Sequence, residues 1–156
     1  TAGFSLVGWT RASQPEVDFP TFSGLDQKKP FLEKSDILVC LLPLTPDTRS
    51  ILDYDLLSGL PRGALLINVA RGPLLVDEDL IRTLDSGWLS GACLDVFHTE
   101  PLPKDHPFWE HPGVHITPHV ASVSDPESVA PQIIENYRRL MAGQPLKNQV
   151  SRKRGY

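Results

Sequence analysis

Short runs of Val, Ile and Leu recur along the chain, and segments with a helical spacing of apolar residues separate them. Most of these runs are continuous rather than alternating, which is typical of strands that are covered on both faces. A further extended segment at residues 19–22 predicts a short edge strand. The predicted strands occupy residues 4–10, 36–42, 64–70, 91–96 and 114–117.

Three segments between or after these runs predict helices. Asp77 is a suitable N-cap for a helix in which apolar residues follow at helical spacing. A second helix is expected within residues 53–60, and a long one at 125–141 has an apolar stripe. Strands that alternate with helices predict βαβ units, and therefore an α/β fold with a doubly wound, mostly parallel sheet.

The composition is that of a globular domain. The chain has 156 residues, of which 40% are hydrophobic, enough to build a core. The formal net charge of −4 gives no basic surplus and argues against nucleic-acid binding. The longest apolar run, residues 37–44, is too short to span a membrane and contains Pro43. Cys40 and Cys93 lie in apolar runs and are expected to be buried thiols of a cytoplasmic protein.

Three side chains capable of chemistry follow predicted strands. Because ligands of open α/β sheets bind beyond the carboxyl ends of the strands, Arg71, Glu100 and His119 are candidates for one site. Arginine would hold a substrate carboxylate with its planar fork, histidine would protonate a carbonyl oxygen, and glutamate would keep the imidazole charged and oriented. This set suits the reduction of a 2-keto acid. The alternative is structural, because an arginine or a histidine at such a position often forms an ion pair.

Other polar clusters have simpler interpretations. His111, His115 and His119 are spaced by four residues, but prolines and a glycine between them argue against a helix, and no metal site is predicted. The acidic run that begins at Asp77 is typical of the first turn of a helix. Trp109 is expected to be a packing residue.

Four motifs within residues 38–122 indicate a family. In these motifs the chain resembles the D-isomer-specific 2-hydroxyacid dehydrogenases. Its segment Trp9-Thr10-Arg11 and its last residues are most similar to the glyoxylate/hydroxypyruvate reductase group of that family. The resemblance implies a Rossmann-like NAD(P)-binding domain. The motifs are Leu42–Thr48, Asn68–Leu80, Leu94–Pro103 and Thr117–Ala121.

The resemblance also implies roles for individual residues. Arg71 would bind the substrate carboxylate, Glu100 would pair with the histidine, and His119 would be the general acid. Asp95 and Ala121 would lie near the nicotinamide carboxamide. The other residues of the implied dinucleotide groove are Trp9, Thr10, Arg11, Leu42, Pro43, Val69 and Ala70.

The end of the first predicted strand bears on the choice of cofactor. A carboxylate after the second strand of a dinucleotide fold usually binds the adenosine ribose, whereas an arginine accommodates a 2′-phosphate. This chain has Arg11 there and no Asp or Glu. NADP is therefore favoured, and NAD stays possible if Arg11 is an ordinary surface residue.

The turn Gly-x-Gly-x-x-Gly, which brings backbone N–H groups to the pyrophosphate, is absent from the sequence. We therefore expect residues 1–123 to be a partial dinucleotide-binding domain without its first strand and glycine-rich loop. Residues 124–156 would be a long return helix and a tail that pack on an absent substrate domain. The expected function is NAD(P)H-dependent reduction of a small 2-keto acid of the glyoxylate or hydroxypyruvate type, by an enzyme that is a homodimer at full length. A non-catalytic, corepressor-like dinucleotide sensor is the alternative.

Overall fold

Short strands alternate with helices along the chain. The structure, a computed structural model, describes residues 3–11, 17–122 and 124–151. The strands are β1 (Gly8–Thr10), β2 (Thr21–Ser23), β3 (Ile37–Cys40), β4 (Leu65–Asn68), β5 (Gly91–Leu94) and β6 (Val114–Ile116). The helices are α1 (Lys28–Leu32), α2 (Tyr54–Ser58), α3 (Asp77–Asp85) and α4 (Pro126–Met141). Two 3₁₀ turns, Gly72–Leu74 and Pro107–Trp109, follow β4 and precede β6.

The strands form two sheets in which the pairings are parallel. β1 pairs with β2, and the second sheet has the order β3-β4-β5-β6. In the register of the second sheet, Ile67 of β4 lies beside Val39 of β3 and Cys93 of β5. The predicted α/β fold with a parallel sheet is confirmed. The carboxyl ends of β3 to β6 therefore lie at one edge of that sheet.

One face of the larger sheet holds most of the core. Leu38, Leu66 and Leu94, from three adjacent strands, are buried in a single hydrophobic cluster. Leucines of α2 and α3, such as Leu57 and Leu80, belong to the same cluster. The two helical connections between β3 and β5 therefore pack on the same face of the sheet, as successive crossovers of one hand require.

The opposite face of this sheet stays open. Ile37 and Val39 of β3 are 39% and 46% exposed, and Leu65 of β4 is 39% exposed. The continuous apolar runs predicted cover on both faces, which is wrong for the described residues. A continuous apolar run indicates that both faces of the strand are apolar, but it does not identify the chain segment that covers each face.

Several element boundaries differ from the prediction. The strand predicted at residues 4–10 is shortened to β1. The predicted edge strand exists as β2, two residues further on, and pairs with β1. α1 was not predicted. The predicted boundary at residue 123 and the tail beyond residue 151 lie outside the described residues.

The acidic residues at the helix starts behave in two ways. Asp53 caps α2, because its carboxylate accepts the N–H of Leu56 at 2.9 Å. Asp125 likewise caps the predicted long helix, α4. The predicted N-cap role of Asp77 is wrong, since Val76 is the N-cap and Asp77 is the first helical residue. Its carboxylate faces two histidines of a neighbouring loop instead.

The apolar stripe of α4 is on the surface of the described structure. Ile133 and Tyr137 are each 64% exposed, and Leu140 is 63% exposed. The chain after α4 folds back along it, and the N–H of Lys147 donates to the Asn136 side chain at 2.8 Å. The predicted long helix is confirmed.

The two cysteines have different surroundings. Cys40 is buried, and burial raises the pKa of its thiol. Cys93 is only partly buried, which corrects the prediction, because its place in the register puts it beside Val39 and Ile67 on the open face. In residues 3–11, 17–122 and 124–151 we find no helix that is long and apolar enough to cross a membrane.

Candidate active site

The turn after β4 presents Arg71 at the carboxyl edge of the sheet. Asn68, the last residue of β4, is fully buried and shapes this turn. Its side-chain oxygen accepts the N–H of Ala70 at 3.2 Å, and its amide donates to the carbonyl of Arg71 at 3.3 Å. The Arg71 side chain is exposed, and its guanidinium donates to the carbonyl of Ala70. An arginine fork is therefore available at this edge.

The next residue, Gly72, brings this turn against a second one. A Cβ atom on Gly72 would lie 1.9 Å from the carbonyl carbon of Phe97 and 2.4 Å from the backbone nitrogen of His98. No side chain fits in that space. We call residues 69–76 the Arg71 connection and residues 96–106 the Glu100 loop, and their backbones touch at this glycine.

Glu100 and His119 form a hydrogen-bonded pair. His119 Nδ1 lies 2.7 Å from Glu100 Oε2, and the other carboxylate oxygen, Oε1, accepts the N–H of Phe97 at 2.9 Å. These two hydrogen bonds, with the positive charge of His119 and then of Arg71, hold the pKa of Glu100 below its ordinary value. An ionised Glu100 accepts from Nδ1–H, which leaves Nε2 of His119 on the side away from the carboxylate.

Asp95 holds the turn on which His119 lies. It is buried, and its carboxylate accepts the Thr117 hydroxyl and the N–H groups of Val120 and Ala121, both at 2.9 Å. Burial raises the pKa of Asp95, but these hydrogen bonds outweigh it and set the pKa below its ordinary value. His119 has a φ of +54°, a left-handed conformation that is uncommon outside glycine. The contacts of Asp95 on both sides of His119 stabilise that conformation.

A largely apolar cavity of about 430 Å³ adjoins the pair. Glu100 and His119 supply its polar groups. The apolar lining is Phe97, Pro101, Leu102, Trp109, Ile116 and Pro118. Trp109, which was expected to be a packing residue, is 52% exposed in this lining, and its indole N–H donates to the carbonyl of Pro103 at 2.8 Å. The 3₁₀ turn Pro107–Trp109 buries Phe108 and directs Trp109 outward.

The structure places the other predicted cofactor residues at the same sheet edge. Leu42 and Pro43 follow β3, Val69 and Ala70 follow β4, and Asp95 and Ala121 follow β5 and β6. The carboxylate of Asp95 is occupied by the turn, so its observed contacts are structural. The roles of these residues toward a dinucleotide stay predictions.

The smaller sheet contains Trp9 and Thr10, at the end of β1, and Arg11 follows them. The indole N–H of Trp9 donates to the carbonyl of Gly24 at 2.8 Å, and its ring stacks on Phe31 with the centroids 6.3 Å apart. Trp9 therefore packs β1 against α1. Arg11 is exposed directly beyond the strand.

The three regularly spaced histidines lie on different elements. His111 precedes β6 and its Nε2 lies 3.3 Å from an oxygen of Asp85, His115 is in β6, and His119 follows it. Within the described part of the chain, no three His, Cys, Asp or Glu side chains are grouped so that they could hold a metal ion.

Two residues that shape the site were not identified from the sequence in that role. Asn68 and Thr117 act through buried hydrogen bonds that organise the turns of Arg71 and His119. Asn68 is a polar residue at the end of an otherwise apolar strand. Because buried polar groups need hydrogen-bond partners, this position could have indicated its role.

Comparison with known proteins decides the family. Residues 1–121 match the NAD binding domain of the D-isomer specific 2-hydroxyacid dehydrogenases. The chain belongs to this family. The resemblance seen in the four motifs is thereby confirmed, and the larger sheet, with Arg71, Glu100 and His119 at its carboxyl edge, belongs to a Rossmann-like NAD-binding domain of this family.

Individual relatives agree with this assignment. The chain is 44% identical over 154 residues to a glyoxylate/hydroxypyruvate reductase A of Serratia proteamaculans, a match that covers 99% of this chain and 49% of the relative. A family member from Xanthobacter autotrophicus, solved with NADPH and MES, is 47% identical with a TM-score of 0.94 over 99% of this chain and 64% of that one. An NADPH-dependent glyoxylate/hydroxypyruvate reductase of Sinorhizobium meliloti, solved with NADP and sulfate, is 39% identical with a TM-score of 0.91 over 99% of this chain and 50% of that one. The chain thus spans about half the length of the curated relatives it matches.

Proposed function

We propose that this chain supplies the acid–base group and the substrate-binding arginine for NADPH-dependent reduction of a small 2-keto acid. The observation that supports this most is the Glu100–His119 pair, 2.7 Å apart beside an apolar cavity and close enough to Arg71 for its charge to lower the pKa of Glu100. Glyoxylate and hydroxypyruvate are the proposed substrates, because relatives at 43–44% identity are named as reductases of these acids. By the complete enzyme we mean this chain within a polypeptide as long as those relatives.

Each of the three residues has one task in this proposal. The fork of Arg71 binds the substrate carboxylate and fixes the orientation of the keto group. Nε2 of His119 donates a proton to the keto oxygen as the carbonyl is reduced. Glu100 orients the ring through Nδ1 and stabilises the imidazolium form. The bound dinucleotide supplies the hydride.

The residues present fit part of a dinucleotide. The carboxyl edge of the sheet offers apolar surface for a planar ring, since Leu41 and Val120 are 74% and 51% exposed there. Arg11 provides a cation at the end of β1 for a 2′-phosphate. No glycine-rich turn for the pyrophosphate exists in the 156 residues. We therefore propose that the rest of the complete enzyme holds the pyrophosphate.

We also propose how the domains and subunits of the complete enzyme are organised. Residues 1–123 contribute to the dinucleotide-binding domain, and the exposed stripe of α4 packs on a substrate domain. The complete enzyme is a homodimer in the cytoplasm, where Cys40 and Cys93, both free thiols, stay reduced.

The test is turnover by the complete enzyme. We expect it to oxidise NADPH when glyoxylate or hydroxypyruvate is added, and His119→Asn to lower kcat by about 100-fold or more, the usual scale of a lost general acid. His115→Asn, an exposed histidine of β6, is the matched control and keeps full activity. NADPH binding without turnover of any 2-keto acid would contradict the proposal and favour the dinucleotide sensor.

The preference for NADPH has its own test at Arg11. Replacing the cation by a carboxylate, Arg11→Asp, removes a charge-assisted hydrogen bond to the 2′-phosphate and adds repulsion. We expect the ratio of NADPH to NADH affinity to fall about 10-fold or more, as measured by fluorescence titration of both cofactors. An unchanged ratio would exclude Arg11 from the cofactor site.

A further inference from the structure

A cluster of one aspartate and two histidines lies behind the candidate site. Asp77, the first residue of α3, has one carboxylate oxygen 3.4 Å from His106 Nε2 and the other 3.8 Å from His98 Nε2. His98 Nε2 also lies 2.8 Å from the carbonyl oxygen of Leu75, to which it donates. Both histidines belong to the Glu100 loop, whereas Asp77 directly follows the Arg71 connection. The cluster therefore joins the two segments that present Arg71 and Glu100.

The contacts do not require charged histidines. Nδ1 of His106 accepts the N–H of Phe108 at 3.3 Å, so its proton is on Nε2, the nitrogen that faces Asp77. His98 must also protonate Nε2, because it donates to the carbonyl of Leu75. A neutral His106 therefore presents its Nε2–H group toward the Asp77 carboxylate. The Nε2–H group of His98 donates to the carbonyl of Leu75, in the Arg71 connection, and lies 3.8 Å from the Asp77 carboxylate. The cluster therefore connects the two segments without a charged histidine.

The link is close to the catalytic pair along the chain. His98 is two residues before Glu100, and its neighbour Phe97 donates its N–H to Glu100 at 2.9 Å. The backbone of Phe97 and His98 rests directly on Gly72. A movement of His98 would therefore move the groups that position the Glu100 carboxylate at His119.

We propose that Asp77, through His98 and His106, is a positioning residue that fastens the Glu100 loop to the Arg71 connection and so holds Glu100 at His119. This inference rests on the proposed function. A cavity of about 230 Å³, lined by Ser50, Asp77 and His98 among others, lies beside the cluster. On the side of this cavity, the polar contacts of the cluster connect the Glu100 loop to α3.

The ionised Asp77 carboxylate contributes little to the stability of the fold. Burial raises the pKa of Asp77, and the charge of Glu78 on its own helix adds to this, while His98 and His106 from the loop oppose it. The balance leaves the pKa above its ordinary value. A raised pKa means that the fold gains nothing from the charge of Asp77, so we expect Asp77→Asn to fold and to be testable.

The experiment compares Asp77→Asn with Asp85→Asn in the complete enzyme. An asparagine at 77 accepts from one histidine and turns its own N–H groups toward the other, so the link weakens. Asp85 is the matched control, because it is on the same helix and pairs with a histidine, His111, outside the Glu100 loop. We expect Asp77→Asn to lower kcat about 10-fold without changing NADPH affinity, as expected for a catalytic group shifted by a fraction of an ångström. We also expect Asp77→Glu, which restores a carboxylate, to recover part of that loss.

A second measurement separates failure of this inference from failure of the proposed function. The ¹⁵N chemical shift of His119 Nδ1, measured by NMR at one fixed pH, reports its hydrogen bond to Glu100 whether or not the protein turns over a keto acid. We expect this chemical shift in Asp77→Asn to change in the same direction as in Glu100→Gln, and Asp85→Asn to match the wild type. An unchanged chemical shift and kcat in Asp77→Asn, or an equal loss in Asp85→Asn, would overturn the inference. Absence of turnover in the wild type, with the chemical shift still changed, would overturn only the proposed function.

Discussion

Two aspartates near the site, Asp95 and Asp77, show that burial alone does not determine what a carboxylate does. Three hydrogen bonds reach the Asp95 carboxylate and lower its pKa despite burial, whereas burial dominates at Asp77 and raises its pKa. The first side chain therefore stabilises its turn when ionised. The second side chain contributes no such stabilisation when it is ionised, because its pKa is above its ordinary value.

The low pKa of Asp95 makes a prediction about stability and pH. A folded-state pKa below the ordinary value of 3.8 gives stabilisation that is fully present above that value and is lost as the pH falls below it. In Asp95→Asn an amide NH₂ group replaces one carboxylate oxygen, so that two hydrogen-bond donors, this NH₂ and an N–H group of the turn, face each other. We expect a loss of about 1–3 kcal/mol in the free energy of unfolding near neutral pH. Urea unfolding of the complete enzyme at several pH values should show the difference from wild type shrinking below about pH 4, and a difference independent of pH would contradict it.

The proposed role of Arg71 predicts a change in substrate affinity alone. A lysine is a point charge and does not reproduce the two parallel hydrogen bonds that a guanidinium makes to a carboxylate. We expect Arg71→Lys to raise KM for the keto acid by about 10-fold or more, in line with the loss of one charge-assisted hydrogen bond, and to leave the Kd for NADPH unchanged. Arg82→Lys, in which the charge stacks on Tyr54 away from the site, is the control and keeps the wild-type KM. A parallel loss of NADPH affinity in Arg71→Lys would show that Arg71 belongs to the dinucleotide groove and would contradict its proposed role toward the substrate.

The sequence located Arg71, Glu100 and His119 because all three follow apolar runs, and parallel strands bring such ends to one edge. It did not reveal what holds them. Asp95 binds groups 22 to 26 residues away, and no local pattern reports a partner at that separation. The same holds for Asp77, which was predicted as a local cap and has its contacts in a distant loop.

At the scale of elements, the apolar pattern predicted the presence of strands better than their ends. The predicted strands are longer than the observed ones, because apolar residues continue past the last hydrogen-bonded pair into the turns of the site. α1 was missed because Pro30 lies inside its five residues. A proline is compatible with the first turn of a helix, where its missing N–H has no partner to lose.

The contact between the Arg71 connection and the Glu100 loop predicts a strong effect at Gly72. A methyl group there overlaps the carbonyl of Phe97, which is backbone and moves only with the whole loop. We expect Gly72→Ala to lower the free energy of unfolding by about 3 kcal/mol, the upper range for overpacking, and to abolish turnover. Gly143→Ala is the control, since its φ of +64° costs about 1 kcal/mol of strain with no atom within 4 Å. Equal effects of the two changes, in thermal unfolding and turnover, would show that the contact is not required.

For the molecule as a whole, the outer edges of β1 and β3 and one face of the larger sheet have no partner in the described residues. β1 pairs only with β2, and β3 pairs only with β4. Phe4 and Leu6, which lead into β1, and Leu41, which follows β3, are 69%, 61% and 74% exposed. In the doubly wound strand order 3-2-1-4-5-6, the strand that would fill this place is the first one, which also leads into the phosphate-binding turn.

The last prediction is that the 156 residues alone neither bind NADPH tightly nor protect these edges. Unpaired N–H and C=O groups on β1 and β3 are costly to bury and tend to pair with another chain. In hydrogen exchange monitored by mass spectrometry, we expect the amides of β1 and β3 to exchange much faster in the 156-residue chain than in the complete enzyme, whereas those of β4 and β5 differ little. The chain alone should also form oligomers in native mass spectrometry and bind NADPH at least about 100-fold more weakly, because the backbone N–H groups that hold the pyrophosphate are missing. A monomer of these 156 residues that binds NADPH at micromolar concentration, with both edges protected, would show that the chain completes its own sheet.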